Sequence, residues 1–317
     1  MPLTPYAIAR ATPVGRYAPS PTGTLHLGNL RTALVAWQDA VEHGAAFILR
    51  IEDTDYPRNV PGAEQRILSD LAWLGITWDE GPSVMPGAPD VGPAAPYRQS
   101  QRHEIYLAAL LHLADLGLIY PCTCSRKQLQ SAASAPHGPD GPVYPGTCRK
   151  RMPAGEMREL IAQLTPPPGK APGGPNPCAL RLRTDELPPL SLTDELHGAR
   201  VCDVAGECGD FVVLRRDGLW AYQFVCAVDD ALMGVTRVVR GADLLSSAPR
   251  QAALVRALGY QPPVYRHIPL VADAQGQRMA KRDGSVDLSI LRGRGLSPEQ
   301  ARRYLLDLTT LSTGTCG

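Results

Sequence analysis

The chain of 317 residues is 44% hydrophobic and 20% charged, ample for a buried core in one large domain or two modest ones. Its formal net charge of +1 excludes nucleic-acid binding by global charge and leaves that role to a local basic patch. No apolar run is long enough to span a bilayer, and residues 1–16, with prolines at 2, 5 and 13, lack the apolar core of a secretion signal, so a cytoplasmic protein is expected.

Residues 16–29 begin like a strand, pass through a Pro/Gly turn and end in His26-Leu27-Gly28-Asn29. An amphipathic helix is expected from about Leu30 to His43, ended by Gly44. A strand that hands over to a helix through small residues makes a phosphate cradle. Backbone N–H groups and the helix dipole attract the anion, and Gly28 lets it approach. Residues 45–51 read as a buried strand leading into acidic Glu52-Asp53-Thr54-Asp55. Strand, helix, strand with a loop at each carboxyl end is the start of a doubly wound parallel sheet.

Helices are expected at 62–74 and 98–118. Residues 131–145 and 165–177 are Pro/Gly-rich and expected to be irregular. Regular structure resumes at 179–183. Residues 211–214 read as a strand, 215–218 as a hairpin turn and 219–225 as its return. Strands follow at 237–241 and 267–271, and helices at 249–258 and 298–311, the last started by Ser297 and Pro298.

Eight cysteines in a reducing compartment point to metal ahead of disulfide where they lie close together. Cys122, Cys124 and Cys148, in an insertion with little core, suit a tetrahedral structural Zn2+ site. The bland alternative is three free thiols. On chemical grounds His137 is the conventional fourth ligand. Arg278-Met279-Ala280-Lys281-Arg282-Asp283-Gly284 is a cation-rich, Gly-ended loop able to close over a triphosphate.

Arg16, Pro19-Ser20-Pro21-Thr22-Gly23 and Leu25-His26-Leu27-Gly28 resemble the HIGH signature of class I aminoacyl-tRNA synthetases in its glutamyl/glutaminyl form. Residues 278–282 resemble the KMSKS loop, with Arg278 in place of its first lysine, Ala280 in place of its serine and Lys281 at its second lysine. The resemblance covers about residues 16–287. It implies an α/β fold with a Rossmann-type parallel-sheet catalytic domain, in halves at 1–118 and 181–290. A small zinc-stapled insertion would occupy 119–180 and a short helical remnant 291–317. It implies His26 and Lys281 as catalytic residues. ATP with Mg2+ would be held by Pro19, His26, Gly28, Asn29, Met279 and Lys281. L-glutamate would be held by Arg16, Ser20, Glu52, Tyr222 and Arg240. Cys226 stands where full-length glutamyl enzymes carry asparagine. The short glutamyl-synthetase paralogues complete their zinc site with a tyrosine, here Tyr144 beside Cys122, Cys124 and Cys148.

Only some thirty residues follow the Lys281 loop, too few for the helical anticodon-binding region of a full-length enzyme. The chain therefore looks like those paralogues, which activate glutamate without tRNA and esterify it to queuosine at the wobble position of tRNA(Asp). A monomer that meets the anticodon stem-loop is expected. Two alternatives stand beside it: a truncated glutamyl-tRNA synthetase that charges a tRNA 3′ end, and a non-catalytic RNA-binding paralogue.

Overall fold

The structure, a computed structural model, describes residue 3 and residues 6–125, 128, 143–149, 152–165, 176–271 and 287–308. Strand β1 (Val14–Tyr17) is buried along its whole length, as a central strand covered on both faces must be. Helix α1 (Leu27–Glu42) follows and starts earlier than the apolar spacing alone implies. The reason is local: His26 caps it, the ring Nδ1 accepting the Asn29 N–H at 3.2 Å. The His-x-Gly-Asn motif therefore forms the first turn of the helix. The chain returns as β2 (Ala46–Leu49), parallel to β1.

Helix α2 (Ala63–Trp73) comes next. The helix expected from residue 98 starts later, as α3 (His103–Asp115). Asp53 takes both the N–H and the hydroxyl of Ser100, at 2.7 and 2.6 Å, which holds 99–101 in a 3₁₀ turn. Strand β3 (Ile119–Cys122), helix α4 (Ala154–Leu164) and β4 (Ala179–Leu182) follow. Then come β5 (Leu190–Asp194), β6 (Gly198–Cys202), the short α5 (Val204–Glu207) and β7 (Phe211–Leu214).

The turn expected at 215–218 is present, but its return is not a strand. Trp220 makes one bridge to Leu214, and helix α6 (Tyr222–Leu232) begins. A short, mostly apolar run fits a buried helix as well as a strand. Here residues 224–232 are buried all round. Strand β8 (Arg237–Gly241), α7 (Ala248–Ala257), β9 (Val264–Ile268), α8 (Leu288–Gly293) and α9 (Pro298–Asp307) complete the described chain. Ser297 and Gln300 cap α9 reciprocally.

The main sheet runs β2-β1-β8-β9-β5-β6. Its pairings are parallel except β5 with β6, so it is mixed rather than wholly parallel. An antiparallel sheet, β3-β4-β7, draws its strands from both sides of residue 180. One core packs α1, α2, α8 and α9 on the main sheet, a second packs its other face against Met233, Ala252 and Ala253, and a third joins α3, α4 and α6 to the small sheet. Among the described residues no helix is long and apolar enough to cross a membrane.

Candidate active site

A cavity of about 660 Å³ opens at the carboxyl ends of β1, β2, β8 and β9. β1 is followed by β2 on one side of it, while β8 flanks it on the other. Ligands of open α/β sheets bind in the crevice at such a reversal of strand order. Arg16, Pro19, Ser20, His26, Gly28 and Asn29 line the cavity, as do Glu52, Tyr222 and Arg240. Arg278, Met279, Ala280 and Lys281, like His137, lie outside the described residues.

On one wall, the first turn of α1 presents its N-terminal N–H groups and the positive end of its dipole. Because His26 Nδ1 accepts from Asn29, the proton of the neutral ring sits on Nε2. A Cβ on Gly28 would stand 3.0 Å from His26 Nδ1 and 3.1 Å from Cε1. The glycine is thus what lets the imidazole fold back over the helix start.

Tyr222, the first residue of α6, also lines the cavity, and Cys226 and Asp230 lie behind it. Tyr222, Cys226 and Asp230 recur at helical spacing, so one face of the helix carries them all. Tyr222 is 40% exposed at the cavity mouth. Cys226 donates its thiol proton to Glu52 Oε1 at 3.1 Å, and Arg50 Nη2 reaches the same oxygen at 3.1 Å. Asp230 accepts from Arg50 Nη1 at 2.8 Å and from Arg16 Nε at 3.4 Å. Burial alone would raise its carboxyl, but Arg16 and Arg50 outweigh burial and hold it below the usual range. Asp229, one residue back, binds Arg102 Nε at 2.7 Å, Gln99 Nε2 at 2.8 Å and the Tyr106 hydroxyl at 2.9 Å. Three buried guanidiniums, Arg16, Arg50 and Arg102, thus face three carboxylates, Glu52, Asp229 and Asp230.

Arg240 is different. It is buried, yet among the described residues no carboxylate pairs with it. Its Nε donates to His267 Nε2 at 2.9 Å and its Nη1 to Gln251 Oε1 at 2.5 Å, while Nη2 is buried without a partner. Among the described residues, Arg240 is thus a buried guanidinium without a direct carboxylate partner. Sequence reasoning missed Arg50, Asp229, Asp230, Gln251 and His267. Reading 219–225 as a strand hid the spacing of Tyr222, Cys226, Asp229 and Asp230, which was the available signal for the two aspartates.

Away from this cavity, the thiols of Cys122, Cys124 and Cys148 lie within 4.8 Å of one another. Cys124 and Cys148 are 3.4 Å apart, and the Tyr144 hydroxyl stands 3.5 Å from Cys122 and 3.6 Å from Cys124. With Zn–S of ~2.3 Å and Zn–O of ~2.0 Å, a tetrahedron has S···O edges of about 3.5 Å and S···S edges of about 3.8 Å. The donor set fits zinc in chemistry, and the Tyr144 edges match the tetrahedral spacing, while the Cys124–Cys148 edge of 3.4 Å is shorter than it. Tyr144 is held for it: its oxygen takes the Cys148 N–H at 2.8 Å, and Arg181 lies 4.0 Å over its ring. Gly209 lets the segment around Tyr144 approach, since a Cβ there would stand 2.7 Å from Val143 Cγ1 on a backbone with φ of +61°.

Residues 14–313 match the family described as the catalytic domain of class I tRNA synthetases (E and Q). The chain is 48% identical over 299 residues to the glutamyl-Q tRNA(Asp) synthetase of Symbiobacterium thermophilum, which covers 94% of this chain and 86% of that protein. It is also 48% identical, over 293 residues, to the glutamyl-Q tRNA(Asp) synthetase of Nocardia farcinica, covering 92% and 83%. The crystal structure of a glutamate tRNA ligase from Elizabethkingia meningosepticum, in complex with its amino acid, superposes with a TM-score of 0.72 at 28% identity. That match covers 94% of this chain and spans 61% of the ligase.

Proposed function

The chain belongs to the class I tRNA synthetases of the E and Q group, and on that premise we propose that it activates L-glutamate with ATP, without tRNA, and transfers the glutamyl group to queuosine of tRNA(Asp). The observation that carries the amino-acid half is the unpaired charge of Arg240. Arg16, Arg50 and Arg102 are matched by carboxylates, whereas Arg240, at the cavity wall, bonds only to His267 and Gln251 among the described residues, which leaves its guanidinium open to a substrate carboxylate. The acceptor half is supported by the names of relatives that match this chain over most of their length.

Arg240 receives one glutamate carboxylate in charge-assisted hydrogen bonds. Arg16, whose charge Asp230 already shares, contributes a weaker positive field. Glu52 accepts from the substrate ammonium. Its bonds to Arg50 and Cys226 both fall on Oε1, so Oε2 keeps acceptor capacity. Ser20 and the Tyr222 hydroxyl orient the substrate from the cavity rim. ATP, with its Mg2+, lays its phosphates on the first turn of α1, where His26 Nε2–H and the helix N–H groups meet the charge. Met279 and Lys281 would approach from the loop at 278–284.

An α-carboxylate oxygen of glutamate attacks the α-phosphorus, the bond to the β-phosphate bridge oxygen breaks, and pyrophosphate leaves. A hydroxyl of the queuosine cyclopentenediol then attacks the glutamyl carbonyl and gives up its proton to solvent or the departing phosphate, the acyl-phosphate bond breaks, and AMP leaves as the ester forms. Cys122, Cys124, Tyr144 and Cys148 would hold one structural zinc ion, which supplies no chemistry to these steps.

Two assays test the reading. ATP–pyrophosphate exchange should require glutamate and no tRNA. Transfer should then proceed to queuosine-bearing tRNA(Asp) whose 3′ end is blocked by a terminal phosphate, and not to the queuosine-free form. Glutamate appearing only on tRNA with an open 3′ end refutes the acceptor. Absence of exchange refutes the activity and favours a non-catalytic paralogue.

A further inference from the structure

We propose that His267 is a positioning residue of the amino-acid site: set between Asp194 and Arg240 as the Nδ1–H tautomer, it aims the Arg240 guanidinium at the substrate and leaves its charge for the substrate carboxylate. This rests on the reading that Arg240 binds glutamate. The three residues come from neighbouring strands β8, β9 and β5, and Arg240 and His267 are register partners. Their side chains therefore share one face of the sheet.

The tautomer follows from the partners. Arg240 Nε–H can only donate, so His267 Nε2 accepts it at 2.9 Å, and the ring proton sits on Nδ1 and goes to the Asp194 carboxylate. Asp194 is itself anchored at the β5–β6 turn, where it takes the Leu196 and His197 N–H groups at 2.9 and 3.0 Å and the His197 ring at 2.9 Å. The Tyr265 ring stacks on His267 at 5.6 Å between centroids and lies 5.2 Å from the Arg240 guanidinium. His267 is fully buried. Burial, and then the neighbouring Arg240, push its pKa down to about 4, so it stays neutral.

The chemistry explains the choice of residue. A carboxylate at 267 would fix Arg240 equally well but would neutralise it, and the substrate would then compete with an internal anion. Imidazole and the Gln251 amide fix two of its nitrogens without cancelling the charge. The Asp194 charge is kept one ring away. The arrangement thus separates orientation from neutralisation.

The test uses the full chain in glutamate-dependent ATP–pyrophosphate exchange. His267→Asn keeps a donor toward Asp194 but no longer reaches Arg240, while the amide oxygen of His267→Gln falls near the Nε2 position. The Asn variant should raise the KM for glutamate about tenfold to a hundredfold, the range for losing a bond to a charged group, with the KM for ATP unchanged. The Gln variant should recover most of that loss. A parallel rise in both KM values, or a Gln variant no better than the Asn one, shows a merely structural role and overturns the proposal. In the wild-type chain labelled with 15N-histidine, His267 should appear at pH 7 as a neutral Nδ1–H imidazole whose Nε2 signal moves when glutamate binds. The Nε2–H tautomer or an unmoved signal overturns it even if the Asn variant fails to fold. A wild-type chain without any glutamate-dependent exchange overturns instead the glutamate reading beneath it.

Discussion

Replacing Asp229 by Asn tests the ionic network behind the pocket. The side chain keeps its size and loses its charge. Asp229 is fully buried and accepts from Arg102, Gln99 and Tyr106 at 2.7, 2.8 and 2.9 Å, with Arg50 Nε at 3.6 Å. Arg50 and Arg102 are themselves 0% and 2% exposed, so neither can turn to water. An amide nitrogen would also face N–H donors. Removing one partner of a buried ion pair destabilises by about 3–5 kcal/mol, a large part of the ~5–15 kcal/mol that holds a typical domain folded. Denaturant and thermal melts should therefore show a loss of that size. Adding Arg102→Met should recover part of it, because the stranded cation goes too. The KM for glutamate should rise as well, since α6 carries Tyr222 and Cys226 along with Asp229. A loss below about 1 kcal/mol, or Arg102→Met adding its full effect to Asp229→Asn, would refute the idea of a closed, mutually neutralised network.

Arg240→Gln should lower glutamate activation about a hundredfold at subsaturating glutamate by removing a charge-assisted contact, and pyrophosphate exchange against glutamate concentration checks it. Wild-type behaviour there would remove Arg240 from the site. Protein purified with zinc present should carry one ion per chain by elemental analysis, Cys148→Ser should lose it, and a chelator should lower the melting temperature of the wild type alone. Equal melting of wild type and variant, with and without chelator, would rule out the staple. The His267 pair predicts a pH dependence. His267 has a folded pKa of about 4 against an ordinary 6.5, so it contributes stability above 6.5 that is lost as pH falls through 4. Arg240, Asp194, His197 and Tyr265 face it. Asp194, held near 2 against an ordinary 3.8 because hydrogen bonds from His267 and His197 outweigh its burial, is stabilising above 3.8 and loses this only below that. The advantage of wild type over His267→Gln should shrink by roughly 3 kcal/mol at most between pH 7 and 4. A gap that does not change with pH would contradict a neutral buried imidazole.

Much of the cavity was legible from local sequence. Arg16, Pro19, Ser20, His26, Gly28 and Asn29 lie within one strand–turn–helix unit, whose chemistry depends on short-range backbone geometry, and Glu52 follows the next strand, β2. The thiol cluster was readable in the same way for Cys122 and Cys124, which are nearly adjacent, and Tyr144 and Cys148 form one turn. Helix boundaries moved where a side chain intervened, as His26 does at α1 and Asp53 at residue 100. The stretch at 219–225 was misjudged because a short, mostly apolar run shows no clear period, and packing against α3 and the small sheet makes it a helix.

The sequence by itself determined the His26 motif, the mixture of strand and helix, and most residue types of the proposed glutamate site, since each of these rests on neighbours along the chain. Only the tertiary structure decided which charges cancel. Arg50 meets Asp230 across 180 positions, Arg102 meets Asp229 across 127, and Arg240 meets a histidine instead of a carboxylate. Electrostatic balance in a dry interior depends on distance in space, and no local pattern encodes it. That balance, with Arg240 bonded to neutral groups instead of a carboxylate, is what the proposed glutamate site rests on.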